Sequence, residues 1–176
     1  SYIPKQLLLV GSASYNDDGS TTEGTAEGGR QIVLYSVNDF NFELEQIQSY
    51  AHVMHHEFAH ILHQNVEYDA EFEKITPSYS SSWMQMNDET ARSKGFITAY
   101  AFSSADEDFA EMVSIMLTNS PEDWDNMIEN AGNAAAVEAL RKKEAIVVAY
   151  MKNNWGVNMK DFQKEVVAAI EAAVRN

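Results

Sequence analysis

The sequence predicts an α+β protein, with a small N-terminal sheet followed by a mostly helical body. Two observations carry this. Runs with strand character are confined to the first 37 residues, and from residue 43 onward apolar residues recur at helical spacing. A third, the pentamer His56-Glu57-Phe58-Ala59-His60, lies inside the first helical stretch and sets the chemistry.

Gln6 to Val10 (QLLLV) is a short apolar run that reads as a strand. Asn16 to Gly29 is rich in Gly, Ser, Thr, Asp and Glu and reads as a mobile loop. Its Gly28-Gly29-Arg30 element is not a phosphate cradle, because no lysine-containing loop or helix start follows. Gln31 to Val37 (QIVLYSV) is β-branched and aromatic, the best strand in the chain. A long helix is expected from Glu43 to Gln64, carrying apolar stripes at Ile47, Tyr50, Ala51, Val53, Met54, Phe58, Ile61 and Leu62 with no Gly or Pro between them. Glu67 to Arg92, with Pro77 and a Ser78-Tyr79-Ser80-Ser81-Ser82 run, reads as irregular. A second helix is expected from Ser104 or Asp106 to just before Pro121. Pro121 then opens a short helix with Ser120 as N-cap. Ala134 to Asn153 and Asp161 to Val174 read as two further helices.

A chain of 176 residues is long enough for one domain with a real core. The expectation is a single domain over 1–176: strands and loop in 1–42, metal-site helices in 43–118, C-terminal helices in 119–176. The net charge of −15 argues against non-specific binding to nucleic acid or anionic membrane, and favours basic or polar peptides as ligands. The absence of cysteine excludes disulfides, thiolate metal ligands and a cysteine nucleophile. No apolar run reaches membrane-spanning length. Ser1 is not an initiator methionine, so an export signal is expected to have been removed, with an extracellular, cell-surface or periplasmic location.

The histidines of an HExxH helix lie about 40° apart around the axis and about 6 Å apart along it, so both can reach one metal ion. Glu57, between them, points beside the metal, where a carboxylate can act as general base. A catalytic zinc needs a third protein ligand. The candidates are His63, Glu107, Asp108 and Glu111. His63 shares the face of His56 and His60 but lies about 10 Å along the axis from His56, too far for all three to bind one ion from a straight helix. It is expected to support the ligands, pack, or face substrate. Glu107 and Glu111 are one helical turn apart, and one can ligate while the other receives the N–H of a ligating histidine. Spacing alone allows either order. His52 and His55 fall off the metal face and are expected to be structural, and Trp83, Trp124 and Trp155 are assigned to the core.

The run HEFAHILHQ at 56–64, followed by Tyr100-Ala101 and Glu107-Asp108-Phe109-Ala110-Glu111, resembles the gluzincin pattern. It is most similar to the zinc-binding metallopeptidase lipoproteins of Bacteroidota, with HEFxHxxHQ and EDFAE motifs, over residues 31–118. A more distant similarity is to the catalytic domain of anthrax lethal factor, which also has a tyrosine seven residues before its glutamate ligand. The resemblance implies a zincin-like fold, Zn2+ as cofactor and a peptide or protein substrate, with a possible lipid anchor outside these residues. It implies His56, His60 and Glu107 as metal ligands, Glu57 as general base, Glu111 as a partner of a ligating histidine, and Tyr100 as oxyanion stabiliser.

The function expected is peptide-bond hydrolysis by a gluzincin-type endopeptidase. The alternative is a surface module that keeps zinc but binds proteins or glycoproteins without cleaving them. Residues 32–37, just before the active-site helix, read equally as the edge for an extended peptide to pair with or as a buried member of the sheet.

Overall fold

Strand β5 (Gln31–Leu34) is the centre of a three-stranded sheet, between β1 (Gln6–Leu9) and β4 (Gly24–Glu27). β1 runs parallel to it, Leu7 opposite Ile32, and β4 antiparallel, Thr25 opposite Val33. The computed structural model describes residues 4–17 and 19–174. The chain divides into two compact units, residues 1–67 with 168–176, and 68–167.

In the first unit Gly28 and Gly29 take positive φ (57° and 65°), and the Arg30 N–H closes the turn onto Glu27 O at 3.1 Å. Two successive left-handed residues match the twist of an antiparallel hairpin, and glycine reaches them without a Cβ clash. The segment read as a mobile loop is therefore a hairpin arm: β4 and β3 (Thr21–Thr22) lie within it, β3 pairing with β2 (Ser14–Tyr15). Its Gly and Thr content reflects a half-exposed edge strand rather than a lack of structure. Helix α1 (Leu44–Asn65) packs on β4 and β5. Its apolar face and the strand meet in a core of Ile32, Leu34 and Ile61, with Tyr50, Val53, Met54 and Phe58 against it.

In the second unit α4 (Ala105–Thr118) is the central helix, buried from Asp108 to Ser114 and again from Met116 to Thr118. α2 (Glu71–Ile75), α5 (Pro121–Glu129) and α6 (Ala134–Trp155) pack on it, and α3 (Asp88–Ser93) belongs to the same unit. α2, α3 and a 3-10 turn at Ser81–Gln85 occupy the stretch expected to be irregular. They are too short for periodicity to register, but their caps are legible: Asn87 accepts from Thr90 N at 2.8 Å. Ser104 caps α4 by accepting from Glu107 N, and Ser120 caps α5 by accepting from Asp123 N, with Pro121 in its first turn. Phe72, Phe96 and Phe109 are fully buried, and Tyr68 stacks on Phe109 at 4.4 Å. α7 (Met159–Val174) buries Met159, Gln163 and Val166, three- and four-residue steps on one face. Of the three tryptophans only Trp124 is fully in the core; Trp83 and Trp155 are half-buried.

Candidate metal centre

On α1, His56 and His60 turn their rings toward each other, with centroids 4.7 Å apart and Nε2 to Nε2 3.0 Å. Two nitrogens about 2.0–2.1 Å from one tetrahedral zinc lie about 3.3 Å apart, so this pair has the spacing of two ligands to one ion. A metal on Nε2 requires the ring proton on Nδ1. His60 Nδ1 faces His63 Nε2 at 2.8 Å, so with the proton on His60 Nδ1 the His63 nitrogen is in place to accept it. Of the roles open to His63, this contact places it against His60. His55 is buried with Nδ1 2.7 Å from Ala51 O, and burial pushes its imidazole pKa down, so it is a neutral packing residue as expected.

Glu57 is 7% exposed. Strand β4 passes so close that a Cβ on Gly24 would lie 2.8 Å from Glu57 Cγ and Val53 Cγ1 and 3.0 Å from Glu57 Oε1. Glycine at 24 is thus what lets the edge strand lie against the helix at the HExxH motif. The reading of residues 32–37 as the peptide-pairing edge is corrected here in favour of the buried sheet member. β5 is the central strand, its backbone groups engaged by β1 and β4, and β4 is the edge lying on α1.

In the second unit α4 carries Glu107 in its first turn and Glu111 one turn later. Glu111 is 2% exposed, and Thr98 Oγ1 donates to its Oε2 at 2.6 Å. Thr98 Oγ1 also accepts from Ala101 N at 3.2 Å, which ties the 3-10 turn Tyr100–Phe102 to α4. Tyr100 is 38% exposed and its ring meets Trp83 edge-on at 4.9 Å. Asp108 is removed from the set of candidate ligands. It is fully buried and accepts from Lys143 Nζ at 2.6 Å and from Tyr79 OH at 3.0 Å. Lys143 also donates to Gly95 O at 2.8 Å and sits 4.1 Å from the Phe96 ring centroid. Burial pushes the Asp108 carboxyl up to about 6, against the pull of Lys143 and Tyr79, and pushes the Lys143 ammonium down.

Lys143 and Thr98 are absent from the residues the sequence singles out. Lys143 does leave a trace: it lies three residues after Leu140 and four before Val147, a charge inside an apolar stripe, which requires a buried partner. Thr98 has no such signature.

The HExxH helix, its buried carboxylate and the overlying edge strand have the arrangement expected of a zinc-binding metallopeptidase. The chain matches the family described as "Putative zinc-binding metallo-peptidase" over residues 1–160, and it belongs to that family. A crystal structure of "a putative zinc-binding metallo-peptidase" from Bacteroides caccae is similar to it with a TM-score of 0.79 at 35% identity, over 99% of this chain and 67% of that one. No curated protein matches the chain. The family indicates zinc as the metal, which the spacing of His56 and His60 fits. Among the described residues, no helix is long and apolar enough to cross a membrane.

Proposed function

We propose that the chain is a zinc-dependent endopeptidase in which Glu57 is the general base. The observation that carries this reading is the pair of His56 and His60 nitrogens at ligand spacing, with the buried Glu57 between them in sequence, in a chain of this family. In this reading His56 and His60 supply two ligands and Glu107 the third, an assignment resting on the EDFAE resemblance. When bound, zinc supplies a Lewis acid that acidifies a water and polarises the scissile carbonyl.

The protein's own residues do the rest. Glu57 accepts a proton from the attacking water and passes it to the leaving amine. Its burial beside Gly24 limits its solvation and holds it in place. The Tyr100 hydroxyl hydrogen-bonds the oxygen on which charge develops. His63 accepts from His60 Nδ1, and Glu111 receives the N–H of a ligating histidine. The outward edge of β4 offers backbone groups to an extended peptide, which would pass directly over Glu57.

The test is Glu57→Gln, which keeps size and removes basicity. Zinc content should be unchanged while hydrolysis of a mixed peptide library falls by at least about 100-fold. Equal hydrolysis by the two proteins overturns the assignment of Glu57.

A further inference from the structure

Beside the start of β4, and one helical turn before Glu57, the first unit holds a cavity of about 160 Å³. Its lining includes Glu23, Asp39, Gln46, Ser49, Tyr50 and Val53, and no lysine or arginine lines it. Gln46 Oε1 is buried there and, among the described residues, has no hydrogen-bond partner. A buried acceptor left without a donor is costly unless a ligand or water supplies one. Tyr50 directs its hydroxyl proton at the carbonyls of Ser36 (2.7 Å) and Tyr35 (3.1 Å), so toward the cavity it can only accept. Glu23 and Asp39 are exposed carboxylates. After burial, they are what raises the Tyr50 phenol pKa, so their field reaches the cavity wall. The lining is thus rich in acceptors and negative.

A lysine ammonium or arginine guanidinium is the complement: all donor, no acceptor, positive. A bare metal ion fits less well, because Glu23 and Asp39 belong to no cluster of three potential ligands among the described residues. The position narrows the source. On α1, Gln46 stands three and four residues before Ser49 and Tyr50, Val53 four and three residues after them, and Glu57 four residues after Val53. Val53 and Glu57 both lie against Gly24. From Glu57 to Val53 is about 6 Å along the helix, a distance an extended peptide covers in about two residues.

We propose that this cavity binds the lysine or arginine side chain of a peptide substrate, two or more residues from the scissile bond, and so directs the enzyme to basic segments. The proposal rests on the peptidase reading above for the source of that side chain.

The test uses the zinc-loaded Glu57→Gln protein and fluorescein-labelled peptides, read by fluorescence polarisation. The peptides are identical except for lysine or norleucine, walked through five positions on either side of a central bond. At one position or more, lysine should bind about tenfold more tightly than norleucine, the scale of two partly exposed ion pairs. The Glu23→Gln/Asp39→Asn double variant should lose that ratio while binding the norleucine peptide unchanged. Equal binding of lysine and norleucine everywhere, no binding by any peptide, or a preference that survives the double substitution would each overturn the proposal. Cleavage by the unsubstituted protein separates the two readings. Norleucine peptides cleaved as fast as lysine peptides overturn the subsite and leave the peptidase. A lysine preference that depends on Glu23 and Asp39, with nothing cleaved, keeps the cation site and removes the peptidase.

Discussion

Substituting Lys143→Met should destabilise the second unit more than a surface lysine could. The side chain is fully buried and makes favourable contacts to Asp108 Oδ2, Gly95 O and the Phe96 and Phe72 rings. Methionine fills similar volume, so little of the loss is a cavity. What remains is the Asp108 carboxylate in an apolar interior, with Oδ1 already lacking a partner among the described residues and only Tyr79 donating to Oδ2. Removing one member of a buried ion pair costs about 3 kcal/mol or more. For a chain of this length that lowers Tm by roughly 6–12 °C. The dependence on pH is specific. Burial already raises the Asp108 carboxyl to about 6, above its unfolded value near ~3.9, and losing Lys143 raises it further. A raised carboxylate pKa penalises the folded state above that pKa, and the penalty is relieved as pH falls through it. The variant's deficit should therefore be largest near pH 8 and shrink toward pH 5. Adding Asp108→Asn, which removes the stranded charge, should recover about 1–2 kcal/mol. The assay is thermal and urea unfolding followed by circular dichroism, with zinc chelated so that metal binding adds nothing. A deficit below about 1 kcal/mol, or one equal at both pH values, would refute the reasoning.

Three further outcomes follow from the same contacts. His63→Ala removes the acceptor for His60 Nδ1 and should weaken zinc binding about 10- to 100-fold in competition with a chromophoric chelator; unchanged affinity would deny His63 its supporting role. Gly24→Ala places a methyl 2.8 Å from Glu57 Cγ and Val53 Cγ1, so helix and strand must part, costing about 1–3 kcal/mol in urea unfolding and lowering kcat more than KM; a silent substitution would contradict the close approach. Thr98→Val takes a donor from the buried Glu111 and an acceptor from Ala101 N and should cost about 1–2 kcal/mol in urea unfolding, whereas Thr98→Ser, which keeps the hydroxyl, should cost less; a valine variant as stable as the unsubstituted protein would contradict that weight for the hydroxyl.

Much of this architecture is legible in the sequence, and the boundary falls at identifiable places. α1, α4 and α5 announce themselves by apolar periodicity and by Ser104, Ser120 and Pro121 at their starts. The HExxH pair is visible because helical geometry alone brings residues 56 and 60 together. β4 is not visible, since an edge strand of Gly, Thr, Ala and Glu has no apolar face to declare it. The β-branched character of β5 suits an edge or a buried strand alike, and only its pairing on both sides decides between them. Asp108 lies in an acidic triplet at a helix start, and only Lys143, 35 residues on, separates it from its neighbours. Such long-range pairings are set by packing, which no local pattern encodes.

The proposed zinc ligands are His56, His60 and Glu107. Metal content by elemental analysis on the unsubstituted protein, Glu107→Ala and Glu111→Ala, side by side, tests this set most directly. One zinc per chain is expected, lost in Glu107→Ala and only weakened in Glu111→Ala. No zinc in the unsubstituted protein after incubation with the metal, or full occupancy in Glu107→Ala, would contradict it.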